Sequence, residues 1–474
     1  MRIPRFPLHG ALRQTLLYGA SIALMKGISL LMLPFIAHHL AADAFGRLEV
    51  ISSLAIIGSI LVGMGLEDAL YRFVGSTRDP AKRKRLAASI FSLSLIIGGI
   101  ALLAGYLGAP HVAGWIPGQP TPYETRLVLA MLALEGCIAI PLGWLRMRDR
   151  ALAFFLLSSG RAVLQAVLVL AFLLADRGVA GVLEAGLLAA IAQALALGLI
   201  QVRDSGCAIE RNTFGRALVY SLPIVGSGLI AFALNGLDRW VLAGHSSLQD
   251  VAHFGVAAKF ALAVVLLIQP FGMWWSPRRF EVLHAQDGHA RATRMISLGL
   301  ALTLLITVTV GLVAPLLIDW LLPAEYAPAA QYATALVLVM ALREMTELIN
   351  LGCFTGRTTR AQLLINLAGS AIGIGCMLWW APQHGTWGVI AALLTAQLLR
   401  LALFYLASQH FLPLPYPLAS LLAMAGLGLC FLSAGLFTMG ALPKLLLIAL
   451  GLAALSLLAI RRELIPSPAR LLSP

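Results

Sequence analysis

Three basic residues stand inside long apolar runs of this 474-residue chain: Lys26, Arg161 and Lys259. An ionised side chain at the centre of a bilayer costs about 2.5–3.5 kcal/mol on insertion scales, so each is expected to face a cavity, water or an anion. Their chemistry is that of anion binding: an ammonium or guanidinium can offset the loss of water around a negatively charged group. No acidic residue lies within one helical turn of Lys26 or of Lys259. Ser158, Arg161 and Gln165 fall at i, i+3 and i+7, which draws one polar stripe on an otherwise apolar segment.

Other polar side chains in such runs invite secondary or coupling roles. Arg343 and Glu347 are spaced i, i+4 and can pair on one helix face. Gln362, Asn366 and Ser370 share a face and suit hydrogen bonds between helices. Glu135 is the one carboxylate deep in its run and is a candidate for proton coupling. No cofactor is called for, and coupling to H+ or Na+ stays open. The chain has no GxxxxGKS/T loop, no HExxH and no GxSxG, and its connections are too short to host aqueous chemistry, so an enzyme is not expected. Cys137, Cys207, Cys353, Cys376 and Cys430 show neither paired spacing nor a histidine in metal-ligand register, and read as small hydrophobes rather than metal ligands.

The elements that must carry these residues are fourteen apolar stretches, near 15–36, 50–70, 87–108, 125–144, 152–174, 182–202, 217–238, 252–274, 295–318, 329–350, 362–381, 387–408, 418–438 and 442–460. About 20 apolar residues at 1.5 Å each cross a hydrocarbon core ~30 Å thick. With 60% hydrophobic residues, 12% charged residues and a mean hydropathy of +0.89, the chain lies far from soluble-domain averages. Runs such as AALLTAQLLRLALFYLA lack the alternation of a barrel strand, so the fold class is an all-α polytopic membrane bundle. The N-terminal run from Thr15 to Ile36 is too long for a cleaved signal segment and reads as the first spanning helix.

The net charge of +13 suggests nucleic acid until its placement is read. One set of connections holds 25 of the 34 Lys and Arg, Arg400 counted among them. The alternate set holds 5, and Lys26, Arg161, Lys259 and Arg343 fall inside helices. That bias is an orientation signal, and it places both termini and the basic loops in the cytoplasm.

The chain also repeats. Phe45-Gly46 is followed at a spacing of 17 by Gly63-Met64, and Phe254-Gly255 by Gly272-Met273 at the same spacing, offset by 209. Both stretches run into a basic loop through Arg72-Phe73 and Arg279-Phe280. Helix 2 thus corresponds to helix 8, giving two parallel six-helix halves at 1–205 and 206–410, followed by two additional helices and a tail at 411–474.

The run YGASIALMKGISLLMLPFIAHHLAADAFGRLEV, with GMGLEDALYRFVG and the basic loop after it, resembles the polysaccharide-transporter (Wzx-type) flippases. Their superfamily includes the MATE antiporters and the murein lipid flippase. The stretch YSLPIVGSGLIAFALNGLDRWVLAG looks like that family's helix 7, and the likeness covers about the first 410 residues. Many members have twelve helices, so helices 13 and 14 depart from the pattern. The resemblance implies movement of an undecaprenyl-diphosphate-linked oligosaccharide across a bacterial cytoplasmic (inner) membrane, for lipopolysaccharide or exopolysaccharide synthesis. Its partners would be that lipid-linked glycan, membrane lipids and glycan-assembly proteins such as a polymerase, and no nucleic acid. Lys26, Arg161 and Lys259 would then form a cationic lumen. Arg343, Glu347, Glu135, Gln165 and Asn366 would take secondary or coupling parts. A MATE-type exporter of organic cations fits the same architecture but calls for an acidic cavity, and a non-transporting scaffold would tolerate loss of all three cations.

Overall fold

The computed structural model describes residues 8–276, 278–355, 360–438 and 440–465. Arg2, Arg5, Arg357 and Arg470 of the loop tally lie outside them. The described residues form helices and no strand: α1 (Leu8–His39), α2 (Ala42–Gly63), α3 (Leu66–Gly75), α4 (Pro80–Trp115), α5 (Pro122–Ala133) and α6 (Glu135–Met147). They continue through α7 (Ala151–Leu174), α8 (Gly178–Ser205), α9 (Arg211–Asn235), α10 (Leu237–His245), α11 (Leu248–Trp275) and α12 (Arg279–His284). The last five are α13 (Gly288–Leu321), α14 (Ala329–Ile349), α15 (Arg360–Phe411), α16 (Leu418–Phe437) and α17 (Ala441–Arg461).

Among the described residues eleven helical segments are long and apolar enough to span a membrane, and every one of the fourteen expected stretches has its helix. The two numbers differ for physical reasons. α15 carries two expected spans folded back at Gly385, whose φ of 54° and ψ of −130° interrupt the helix. α14 is loaded with Arg343, Glu344 and Glu347, and α9 is among the less apolar of the long helices. Helices 2 and 4 are broken within their spans: Met64 and Gly65 are left-handed (φ 47° and 61°) between α2 and α3, and Leu134 separates α5 from α6.

Local signals explain the helix starts. Asp79 accepts the amide of Ala81 ahead of Pro80, and Thr121 with Glu124 forms a reciprocal capping box. The ion pairs give an independent check on the helix map. Arg85–Glu210, Arg146–Glu67 (2.9 Å) and Arg150–Asp204 (2.8 Å) join residues at the end that carries the basic loops. Arg47–Glu124 (3.3 Å) and Arg177–Glu184 (3.0 Å) join residues at the opposite end.

By their contacts the helices make two compact units, Met1–Val251 and Ala252–Pro474. In the first, α4 is central. Ile90, Phe91 and Leu93 pack on Leu66 and Leu70 of α3 and on Ile140 and Trp144 of α6. In the second, α13 lies at the centre with α14, α16 and α17 against it.

The repeat assigns α9 and α10 to the second half, whereas their contacts place them in the first unit. α9 is tied there by Ser221, which donates to the Gly65 carbonyl at 3.3 Å; α10 and the start of α11 meet a stripe on α2 formed by Gly46, Glu49 and Ser53. Arg239, itself partly exposed, donates to the buried Glu49 (3.3 Å) and to its buried neighbour Asp238 (3.1 Å). Trp240 Nε1 donates to Ser53 Oγ at 2.6 Å. At Gly46 a β-carbon would stand 1.8 Å from the carbonyl oxygen of Leu248, so only glycine permits that approach. Gly46→Ala should therefore lower the unfolding temperature of the purified protein by several degrees, while Gly99→Ala, with nothing within 4 Å, should leave it nearly unchanged. Equal thermograms for the two variants would show that the close approach does not matter.

Candidate functional site

In the first unit, Lys26 lies about 14 Å along α1 from Leu17, the start of its apolar span, at 1.5 Å per residue. Both Lys26 and Ser29 are exposed on the same helix face, and a β-carbon at Gly27 would meet nothing within 4 Å. Among the described residues Lys26 makes no hydrogen bond or ion pair. The other side of α1 packs on α7, where Tyr18 meets Phe154 edge-on at 5.1 Å.

Arg161 on α7 is largely buried and reaches α8, where it donates to Gln193 Oε1 at 3.1 Å. Gln193 in turn donates to the Leu157 carbonyl at 3.2 Å, so the guanidinium rests on a braced amide. Gln165, one turn further, lies near Gly186 of α8: a β-carbon there would sit 3.6 Å from its Nε2. The sequence leaves Glu135 alone on its helix, but the fold brings it within electrostatic range of Arg161 and of Glu67. It opens α6 beside the helix break and lines a cavity of about 230 Å³ with Glu67 and Asp68. Glu67 is held by Tyr71 (2.6 Å) and Arg146 (2.9 Å). Lys26, Arg161 and Glu135 thus all belong to one unit, with the guanidinium tethered and the ammonium open.

In the second unit, Lys259 is partly buried on α11. Glu347 is exposed on α14 and accepts from Asn350 at 3.1 Å, with Arg343 one turn before it. Arg279, in the short α12, senses the same carboxylate. Burial draws its guanidinium below the ordinary arginine pKa, and Glu347 opposes that shift.

Asn366 has a role its position on a polar stripe does not reveal. Its Oδ1 accepts two bonds from Arg400, at 3.2 and 2.9 Å, while Gln397 accepts a third at 2.8 Å. Arg400 is therefore an intramembrane cation on the second limb of α15 and leaves the loop tally. The sequence held one signal, Gln397 and Arg400 at i, i+3, and the fold adds a groove at Gly369 for the arginine stem. A β-carbon at Gly369 would lie 2.5 Å from Arg400 Cγ. Among the described residues, no group of three or more His, Cys, Asp or Glu is placed to hold a metal ion.

In each unit a guanidinium is held by side-chain amides, Arg161 by Gln193 and Arg400 by Asn366 and Gln397. A model of the polysaccharide biosynthesis protein family matches residues 11–283, more than half of the chain, and the protein belongs to that family. No curated protein matches the sequence.

Its fold is similar to that of solved transporters. A lipid II flippase, MurJ, in an inward closed conformation superposes with a TM-score of 0.74 at 12% identity, over 96% of this chain and 100% of that one. An inward-facing multidrug resistance MATE transporter of the MOP superfamily gives 0.62 at 18% identity, over 84% of this chain and 94% of that one. The outward-facing form of a MATE family transporter gives 0.51 at 17% identity, over 84% of this chain and 95% of that one. The protein is a multi-pass membrane protein with the fold of flippases and exporters.

Proposed function

We propose that this protein flips an undecaprenyl-diphosphate-linked oligosaccharide from the inner to the outer leaflet of a bacterial cytoplasmic membrane by alternating access. The observation that carries the reading is Lys26: an ammonium at membrane depth, exposed, with no hydrogen bond or ion pair among the described residues. Such a group is costly unless water or an anion meets it, and the diphosphate of a lipid-linked glycan is an anion that must pass that depth. Family membership and the flippase-like fold support the same reading. Arg161, Lys259 and Arg400 add cationic character, while the lipid tail stays in the hydrocarbon. Glu135 is the coupling candidate for H+ or Na+, and no catalytic step is required of the chain.

Depleting the protein in cells that make the glycan should stop surface display and accumulate the lipid-linked precursor on the inner leaflet. Undiminished surface glycan after depletion would remove the reading. A scaffold is separated from a flippase by a variant with Lys26, Arg161 and Lys259 all replaced by alanine: a scaffold keeps export and a flippase loses it.

The orientation has its own check. The loop bias puts the basic end in the cytoplasm, so a reporter fused after Ile460 should be active there, and one after Gly118 should be active in the periplasm. The reverse pattern would overturn the orientation and with it the direction of transport.

A further inference from the structure

At the end of the second unit opposite the basic loops lies a recess of about 290 Å³ to which nothing above gives a role. Gly311 and Asp319 of α13, Gln331 of α14, Trp387 of α15, Gly435 of α16 and Lys444 of α17 line it. Glycines let the walls close. A β-carbon at Gly311 would stand 2.6 Å from Leu432, and one at Gly435 would stand 2.3 Å from Leu312, so α16 sits directly on α13. Thr334 donates to the Gly311 carbonyl at 2.9 Å and ties α14 to the same wall. The Trp387 indole is held edge-on by Tyr332, with centroids 5.2 Å apart, while 47% of its surface stays exposed. A second recess of about 420 Å³, with Trp380 and His384, lies against the same indole.

The chemistry of the lining selects a ligand. Among the described residues Asp319, Gln331 and Lys444 make no hydrogen bond or ion pair, although they share one recess. One carboxylate and one ammonium sum to zero charge, so neither a phosphate nor a cation gains net attraction there. The amide offers a donor and an acceptor, and the indole offers a flat, electron-rich face to C–H bonds. A compact apolar pocket with a few convergent polar groups is the usual form of a small-ligand site. The molecule that presents hydroxyls at its rim and C–H groups on its face is a sugar ring. A lipid chain finds no such need for polar partners, and the same unit offers a larger cavity of about 520 Å³ walled mainly by leucine and alanine, with Tyr405 and Tyr416 in its lining. An aromatic girdle at the bilayer surface accounts for Trp320 and Trp379, which are 81% and 69% exposed, but not for three polar side chains that line one recess with Trp387.

We propose that this recess binds a sugar ring of the exported glycan on the exit side, and that α16 and α17, which supply Gly435 and Lys444, exist in part to build it. The assignment rests on the flippase reading and on the loop-charge orientation. It is tested in the full-length protein in glycan-producing cells. Gln331→Cys places a thiol in the recess, and its alkylation by a membrane-impermeant maleimide is timed. The comparison is with isogenic cells whose first sugar-phosphate transfer is blocked, so that no lipid-linked glycan forms. Alkylation should be several-fold slower in producing cells, and the difference should vanish when Trp387→Ala is added. Trp387→Ala alone should cut surface glycan several-fold at unchanged protein abundance, and Trp387→Phe should restore most of it. If Gln331→Cys does not accumulate, Lys444→Cys on the facing wall takes its place. Equal alkylation in the two backgrounds, or full export by Trp387→Ala, overturns the proposal. If depletion of the protein still stops export, the recess assignment has failed by itself; if depletion changes nothing, the flippase reading has failed with it.

Discussion

Lys26→Ala should abolish glycan export while the protein remains inserted and abundant. The ammonium makes no hydrogen bond or ion pair among the described residues, so its removal breaks no contact that holds α1 in place. α1 is anchored from its other side, through Tyr18 and Phe154. The effect should therefore appear in transport and leave stability unchanged. Lys26→Arg should keep part of the activity, since the charge stays while a planar fork replaces a compact donor. Lys26→Glu should be worse than alanine, because a carboxylate repels the phosphates. Surface glycan and protein abundance measured on the same cells decide it. Normal export by both the alanine and glutamate variants would make Lys26 a snorkelling side chain and leave the cationic pathway without its open member.

The second large effect concerns stability. Arg239→Met should remove the guanidinium that pairs with Glu49 and Asp238, which are buried at 6% and 8% side-chain exposure. Removing one partner of a buried ion pair typically costs about 3–5 kcal/mol. The purified variant should lose helical signal at markedly lower temperature, and its abundance in membranes should fall. Adding Glu49→Gln and Asp238→Asn should recover much of the loss, because the two buried charges go with them. A single variant as stable as the parent would mean that water reaches the cluster and that burial does not set its energetics.

Hydropathy made the helices legible because the bilayer enforces one rule on each of them, about 20 apolar residues per crossing. All fourteen stretches lie in helices, and five ion pairs each join residues at one and the same end of them. Breaks within spans were not legible: nothing in the apolar run around Met64 announces a left-handed turn, and Leu134 is an ordinary helix former. The repeat does not reveal the company α10 keeps, which depends on a glutamate and a serine on α2. The site was legible as a set of residue types and illegible as pairs. Arg161 and Gln193 are 32 residues apart, and Asn366 and Arg400 are 34 apart, so no helical periodicity links them. Arg400 is counted with the loop charges although it stands inside the apolar stretch at 387–408. Its groove at Gly369 shows only when the two limbs of α15 are laid together.

The two guanidinium bridges carry a historical consequence. In the first half the arginine comes from the fifth span and the amide from the sixth. In the second half the amide, Asn366, sits on the eleventh span, the counterpart of the fifth, and the arginine comes from the twelfth. Donor and acceptor stand on opposite members of the helix pair in the two halves. If the halves descend from one duplicated ancestor, the route between these arrangements ran through a chain with both arginines or with neither. The first intermediate sets two like charges side by side in hydrocarbon, and the second leaves amides alone to join the helices. The amide-only form is the easier one to inhabit. Each half would then have acquired its cation separately, and the twofold likeness of the pair would record convergence within a single polypeptide.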